Sequence, residues 1–237
     1  MTTVFSHIKA RALALFLTCC ICFTALQPSE SFAEPAWPQD VLIEAEGGIL
    51  VDADSGTVLY GKNIHQRYYP ASITKILTAL IVIERCKLDD TITFSYDAVH
   101  NVESGSTSAG YGVGDKITVR EALYALLLRS ANEVANALAE HCAGSREAFA
   151  RLMNERAASL GCKESHFTNP SGLNDENHYT TAYDYSLIAM AAFKNPTFVE
   201  FDSTTYYELP PNSANAEPFP IYAGHKMLKK SSGLYYP

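Results

Sequence analysis

In Pro70-Ala71-Ser72-Ile73-Thr74-Lys75-Ile76-Leu77-Thr78-Ala79-Leu80-Ile81-Val82-Ile83-Glu84-Arg85, the residues Ile73, Ile76, Leu77, Leu80, Ile81 and Ile83 recur at helical spacing. That period predicts a helix that commits an apolar face to the core. Proline is tolerated near a helix start, where its missing amide has no intrahelical partner. Ser72 and Lys75 are three apart, so both project from one face, about 5–6 Å apart at Cβ. A serine hydroxyl is a weak nucleophile and needs a nearby base. A lysine can be that base if the surrounding Ile and Leu desolvate its ammonium and lower its pKa. The positive end of the helix also favours negative charge developing on Ser72. Taken alone, the same spacing describes a capping serine followed by a solvated lysine, so chemistry needs a second element.

Upstream, Gly48 to Asp52 and Gly56 to Tyr60 read as two strands joined by Asp52-Ala53-Asp54-Ser55-Gly56, an antiparallel hairpin. A calcium loop is excluded because its sixth position would be Thr57 rather than Gly and its twelfth Asn63 rather than Glu. Downstream, Thr118-Val119-Arg120-Glu121 is a capping box that opens a helix through Leu123, Leu126 and Leu127 to Arg129. Ser130-Ala131-Asn132 interrupts the pattern, which resumes from Glu133 to His141, and residues 145–160 form a further amphipathic helix. Phe167 to Tyr179 is rich in Asn, Pro, Gly and Asp and reads as a long surface loop. Thr180 to Lys194 is helical again, and Tyr206 to Pro237 contains strand-like fragments.

The chain has 237 residues with 18 Lys+Arg against 26 Asp+Glu, a net charge of -8, and 47% hydrophobic residues. That composition fits one or two globular domains. With no Lys/Arg-rich run to neutralise phosphates, nucleic acid is not an expected partner. His7, Lys9 and Arg11 precede an apolar run from Ala12 to Leu26, and Ser31-Phe32-Ala33 follows with small residues where a signal peptidase reads. Residues 1–33 are therefore expected to be a secretory signal peptide cut after Ala33. The run is shorter than the ~20 residues a membrane anchor needs, and Phe16-Leu17-Thr18 is a poor lead-in to Cys19 as a lipidated residue. The mature chain, from residue 34, is expected to be soluble outside the cytoplasm.

Of six cysteines, Cys86, Cys142 and Cys162 remain after cleavage. An odd number is not a disulfide framework. Two readings stand: buried thiols near helix ends, or a Cys142–Cys162 bridge in a permissive compartment. No C-x-x-C or H-E-x-x-H spacing occurs, so neither metal nor cofactor is expected.

Ser130-Ala131-Asn132 is the second element. Between two helical segments, a hydroxyl and an amide can face a cleft, although they can also merely cap the following helix. Pro70 to Lys75, then Ser130-Ala131-Asn132, then Phe167-Thr168-Asn169-Pro170-Ser171-Gly172-Leu173 ending in His178-Tyr179-Thr180-Thr181-Ala182 resemble the serine D-alanyl-D-alanine carboxypeptidases, the low-molecular-mass penicillin-binding proteins of peptidase family S11. The hairpin turn and Gly114-Asp115-Lys116-Ile117-Thr118-Val119 fit too, so the resemblance runs from about Glu44 to Pro237.

The resemblance implies an α/β fold of the serine β-lactamase/DD-peptidase type, an antiparallel sheet flanked by helices with the Ser72 helix central and Ser130 in a mostly helical lobe. It implies that Ser72 attacks the carbonyl between the two terminal D-alanines of a peptidoglycan pentapeptide, with Lys75 as base, Ser130 as proton relay and Asn132 binding substrate. β-Lactam antibiotics would acylate the same serine. The family's third motif, K-T-G, does not occur in the 237 residues; His225-Lys226-Met227-Leu228-Lys229-Lys230 resembles the segment upstream of it. Residues 34–237 are thus expected to be a partial catalytic domain, its sheet limited to the 48–60 hairpin and part of the next strand. Membrane association would come only through a C-terminal helix beyond this sequence. On that expectation the chain itself is inactive. The alternatives are a secreted fragment that binds cell-wall peptides without turnover and, more weakly, a β-lactamase, against which Ala131 stands in place of Asp.

Overall fold

The computed structural model describes residues 42–224. The expected signal peptide and the run from His225 to Lys230 lie outside the described residues. At the centre is α1, Thr74–Arg85, entered through a 3₁₀ turn, Ala71–Ile73. Thr74, Lys75 and every residue from Leu77 to Val82 are buried. The periodicity predicts one apolar face, yet the helix is enclosed on all sides. Around it pack α3 (Val119–Arg129), α4 (Asn132–Ala143), α5 (Arg146–Ser159), α6 (Ala182–Phe193) and α7 (Pro196–Asp202). Full burial of Leu77, Leu80 and Ile81 contributes roughly 1.5–3 kcal/mol each. The polar positions that hid this from the sequence have partners. Thr78 Oγ1 donates to Pro170 O at 2.7 Å, and Thr74 Oγ1 meets His178 Nε2 at 2.9 Å. A buried hydroxyl with a partner carries little penalty.

Among the described residues the strands form three separate antiparallel pairs. β1 (Gly48–Val51) pairs with β2 (Val58–Lys62), from Gly48 opposite Lys62 to Val51 opposite Val58. The second strand starts at Val58, two residues later than the sequence suggests, because the turn extends further. Asp52 Oδ1 accepts from Ser55 N at 2.7 Å and Ser55 Oγ at 2.6 Å, and Gly56, at φ +73°, donates to Asp52 O. β3 (Thr91–Thr93) pairs with β4 (Lys116–Thr118), with the short α2 (Tyr96–His100) between them. β5 (Tyr206–Leu209) pairs with β6 (Phe219–Tyr222). The α/β class stands, but the strand content is wider than one hairpin and part of another strand. Elements of three to five residues are too short for periodicity to reveal, whereas the Thr118–Glu121 capping box forms both of its reciprocal bonds. Among the described residues no helix is long and apolar enough to cross a membrane.

The 167–179 loop lies on the start of α1. Asn169 Oδ1 accepts from Ser171 N at 3.2 Å and Gly172 N at 2.7 Å, folding the loop into a tight turn. Gly172 takes φ +83°, and a Cβ there would sit 1.9 Å from Ala71 O and 2.8 Å from Thr74 Oγ1. Gly172→Ala is therefore expected to destabilise the fold by about 3 kcal/mol or more, through strain and backbone displacement together. A urea-unfolding midpoint equal to that of the parent would show that loop and turn are not in this contact.

Candidate active site

Ala71 has φ +50°, a conformation that costs a non-glycine residue roughly 1–2 kcal/mol. It carries the sharp entry into the 3₁₀ turn that presents Ser72, an exposed residue. Lys75 lies one turn on and is 2% exposed. Its Nζ donates to Ser171 O at 2.8 Å and reaches Ser72 Oγ at 3.2 Å. Burial lowers the Lys75 pKa to about 8, and the negative charge of Glu133 opposes the shift.

Ser130 caps the C-terminus of α3 in the left-handed region, φ +59° and ψ +34°. That conformation breaks the helix and lets α4 restart two residues later. Ser72, Lys75 and Ser130 line one cavity of about 900 Å³, together with Thr107, Ser203 and Tyr222. The Ser130 hydroxyl is buried without a hydrogen-bond partner among the described residues, an uncommon state for a buried polar group and one that a bound group could relieve. Asn132 is the first residue of α4 and is 3% exposed. Its N–H donates to Thr107 O at 3.0 Å, and its Oδ1 is buried and unpartnered.

Three further residues belong to this arrangement. Glu133, 2% exposed, uses Oε1 to accept from Ser108 Oγ at 2.8 Å, Ala109 N at 2.7 Å and Gly110 N at 3.1 Å. It thereby fixes the segment after Thr107 at the cavity wall. Ser171 contributes only its carbonyl to Lys75, a role no side-chain pattern signals. His178 accepts from Thr168 N at Nδ1, 3.1 Å, so its Nε2 carries the proton and donates to Thr74 Oγ1. Its place at the end of the Phe167–Ala182 run was the available signal, but nothing there marked which partner it meets.

The sequence profile of the D-alanyl-D-alanine carboxypeptidases matches residues 33–219. The chain belongs to that family. Over 166 residues it is 36% identical to the Bacillus subtilis D-alanyl-D-alanine carboxypeptidase DacF, a match covering 68% of this chain and 42% of that protein. Over 207 residues it is 32% identical to DacA of Escherichia coli, covering 82% and 51%. The chain thus spans about half the length of these two relatives. Among solved structures, the Streptomyces K15 DD-transpeptidase is similar at TM-score 0.75 and 30% identity, over 83% of this chain and 79% of that one. Penicillin binding protein 6B from Escherichia coli gives TM-score 0.74 and 29% identity, over 83% and 63%. The fold is therefore that of the DD-peptidases.

Burial lowers the His178 pKa to about 4, against an ordinary 6.5. Above pH 6.5 both folded and unfolded chains carry it neutral. Between pH 6.5 and 4 only the unfolded chain takes the proton, so stability is lost as pH falls through that window, by up to about 3 kcal/mol. Urea midpoints from pH 7 to pH 4.5 should decline more steeply for the parent than for His178→Gln. Equal slopes would mean that the folded imidazole protonates freely.

Proposed function

We propose that this protein is a serine D-Ala-D-Ala carboxypeptidase that removes the terminal D-alanine from peptidoglycan stem peptides outside the cytoplasm, after signal-peptide cleavage near Ala33. The observation that carries the reading is the buried Lys75 amine, 3.2 Å from Ser72 Oγ with its pKa lowered to about 8. Ser171 O holds one Lys75 N–H, which leaves the lone pair of the neutral amine free to take the Ser72 proton. The alkoxide then attacks the carbonyl between the two D-alanines, with the backbone N–H of Ser72 as one donor to the oxyanion. Collapse of the tetrahedral intermediate breaks the peptide bond. The departing amine receives its proton through Ser130, whose unpartnered hydroxyl shares the cavity. Water releases the acyl group from Ser72 and regenerates the serine. Asn132 orients the peptide. β-Lactams acylate the same Ser72.

Fluorescent penicillin labelling tests this reading, on the 237-residue chain and on a form extended through a K-T-G strand of the kind the family implies. Ser72→Ala is expected to abolish the label. Lys75→Ala should slow acylation about 10²–10⁴-fold, the usual worth of positioned acid–base catalysis. Normal labelling of either variant would show that nucleophile or base is misassigned.

The acylation rate should rise with pH through the Lys75 transition near 8. Because the Glu133 carboxylate raises the Lys75 pKa, Glu133→Gln is expected to move that limb to lower pH. A limb that stays in place in the glutamine variant would remove Lys75 as its origin.

A further inference from the structure

The three cysteines among the described residues are free thiols. Cys162 Sγ donates to Asp184 O at 3.3 Å, which ties it to α6. Cys142 faces a different thiol. Cys86 caps the C-terminus of α1 with an extended backbone, φ -110° and ψ +153°, and Cys142 lies in the last turn of α4. The two helices pack together, and both side chains are partly buried against the same core. The Cys86 and Cys142 thiols are neighbours, close enough for the charge state of each to act on the other. A second contact fixes the same two segments side by side: His141 Nε2 lies 3.6 Å from Asp90 Oδ2.

We propose that Cys86 and Cys142 are a redox modification site, closing to an intramolecular disulfide that staples the C-terminal ends of α1 and α4. Members of this family are cell-wall enzymes that act outside the cytoplasm, where disulfides form and persist. The oxidant is a small or protein disulfide. Either thiol can begin the exchange, because Arg85 lies near both. Starting from Cys142, the thiolate attacks one sulfur of the donor, forming a mixed disulfide and releasing the first donor thiolate. Cys86 then attacks Cys142 Sγ and releases the second. Two protein thiols are oxidised, one donor disulfide is reduced to two thiols, and the two protons pass to the departing thiolates. The closed ring runs from α1 through Ser130 to α4, so it ties together the helices that carry Lys75 and Glu133. It does not depend on the reaction proposed above.

The full chain is equilibrated with mixtures of oxidised and reduced glutathione, alkylated and digested with trypsin. The expected product joins the peptide Cys86-Lys87 to the peptide from Ser130 to Arg146, two hydrogens lighter than the separate reduced peptides, with Cys162 alkylated. Thiols at both Cys86 and Cys142 at the most oxidising ratio would overturn the proposal. So would a glutathione adduct on Cys142 without the link, or a link from Cys142 to Cys162. Dithiothreitol should lower the melting temperature of the oxidised chain by on the order of 5–10 °C and leave that of Cys86→Ala/Cys142→Ala unchanged. If the double variant does not fold, the peptide map of the parent alone decides.

Discussion

A lysine amine enclosed in a helical core and bonded to one backbone carbonyl is the constraint on which the rest of this structure depends. Burial removes Lys75 from water, and an ammonium without compensation there would be costly. Two groups compensate. Ser171 O accepts one N–H at 2.8 Å, and the Glu133 carboxylate supplies opposite charge through space. Each depends on a particular piece of chain. Ser171 is held by the Asn169 turn and by the close approach of Gly172 to Ala71, while Glu133 is locked by three donors from Ser108 to Gly110. The loop after α5 and the segment before β4 are therefore parts of the lysine's surroundings, although neither supplies a side chain to the proposed chemistry.

The same loop anchors α1 a second way. Thr74 receives the His178 N–H and Thr78 donates to Pro170 O, so two hydroxyls on successive turns are tied to one irregular segment. His178 stays neutral because it is buried and because Nδ1 is occupied as an acceptor from Thr168 N. A charged imidazole would have to give up that acceptor role. The loop is thus set by side-chain and backbone hydrogen bonds and a fixed tautomer together with the buried Phe167 ring, which packs edge-on against His178, the kind of support that holds a reacting geometry to a fraction of an ångström.

How much of this was legible in the sequence depends on whether the signal was local. Ser72, Lys75 and Ser130 stood out because spacing along a helix and a break between two helices are local properties, and the three residues line one cavity. The Thr118 capping box was legible for the same reason. The enclosure of α1 was not, since Thr74 and Thr78 read as polar and their partners lie some ninety to one hundred residues away. β3, β4 and α2 are too short to establish a period. The sequence offers buried thiols near helix ends or a Cys142–Cys162 bridge; the thiols are free and partly buried, and packing of α1 on α4, which no local pattern signals, sets Cys142 beside Cys86. Asn132 is the intermediate case: its motif was visible, but the burial of its side chain, with Oδ1 enclosed, was not.

Burial and charge act on Lys75 in opposite directions, and their balance sets what the site can do. Desolvation alone would drive the amine further toward neutrality, making it available at lower pH but a weaker base. The Glu133 carboxylate restrains that drift while it organises the segment beside Thr107. Its second oxygen is buried with no hydrogen-bond partner among the described residues, and Ser130 Oγ and Asn132 Oδ1 share that condition. Each such atom forfeits the solvation it had in the unfolded chain, a cost that a bound group could relieve. The backbone strain at Ala71 and Ser130 adds to the same side of the balance. The well-packed helices around α1 hold this destabilised junction in place, so the Ser130 hydroxyl stays where a group entering the cavity can meet it.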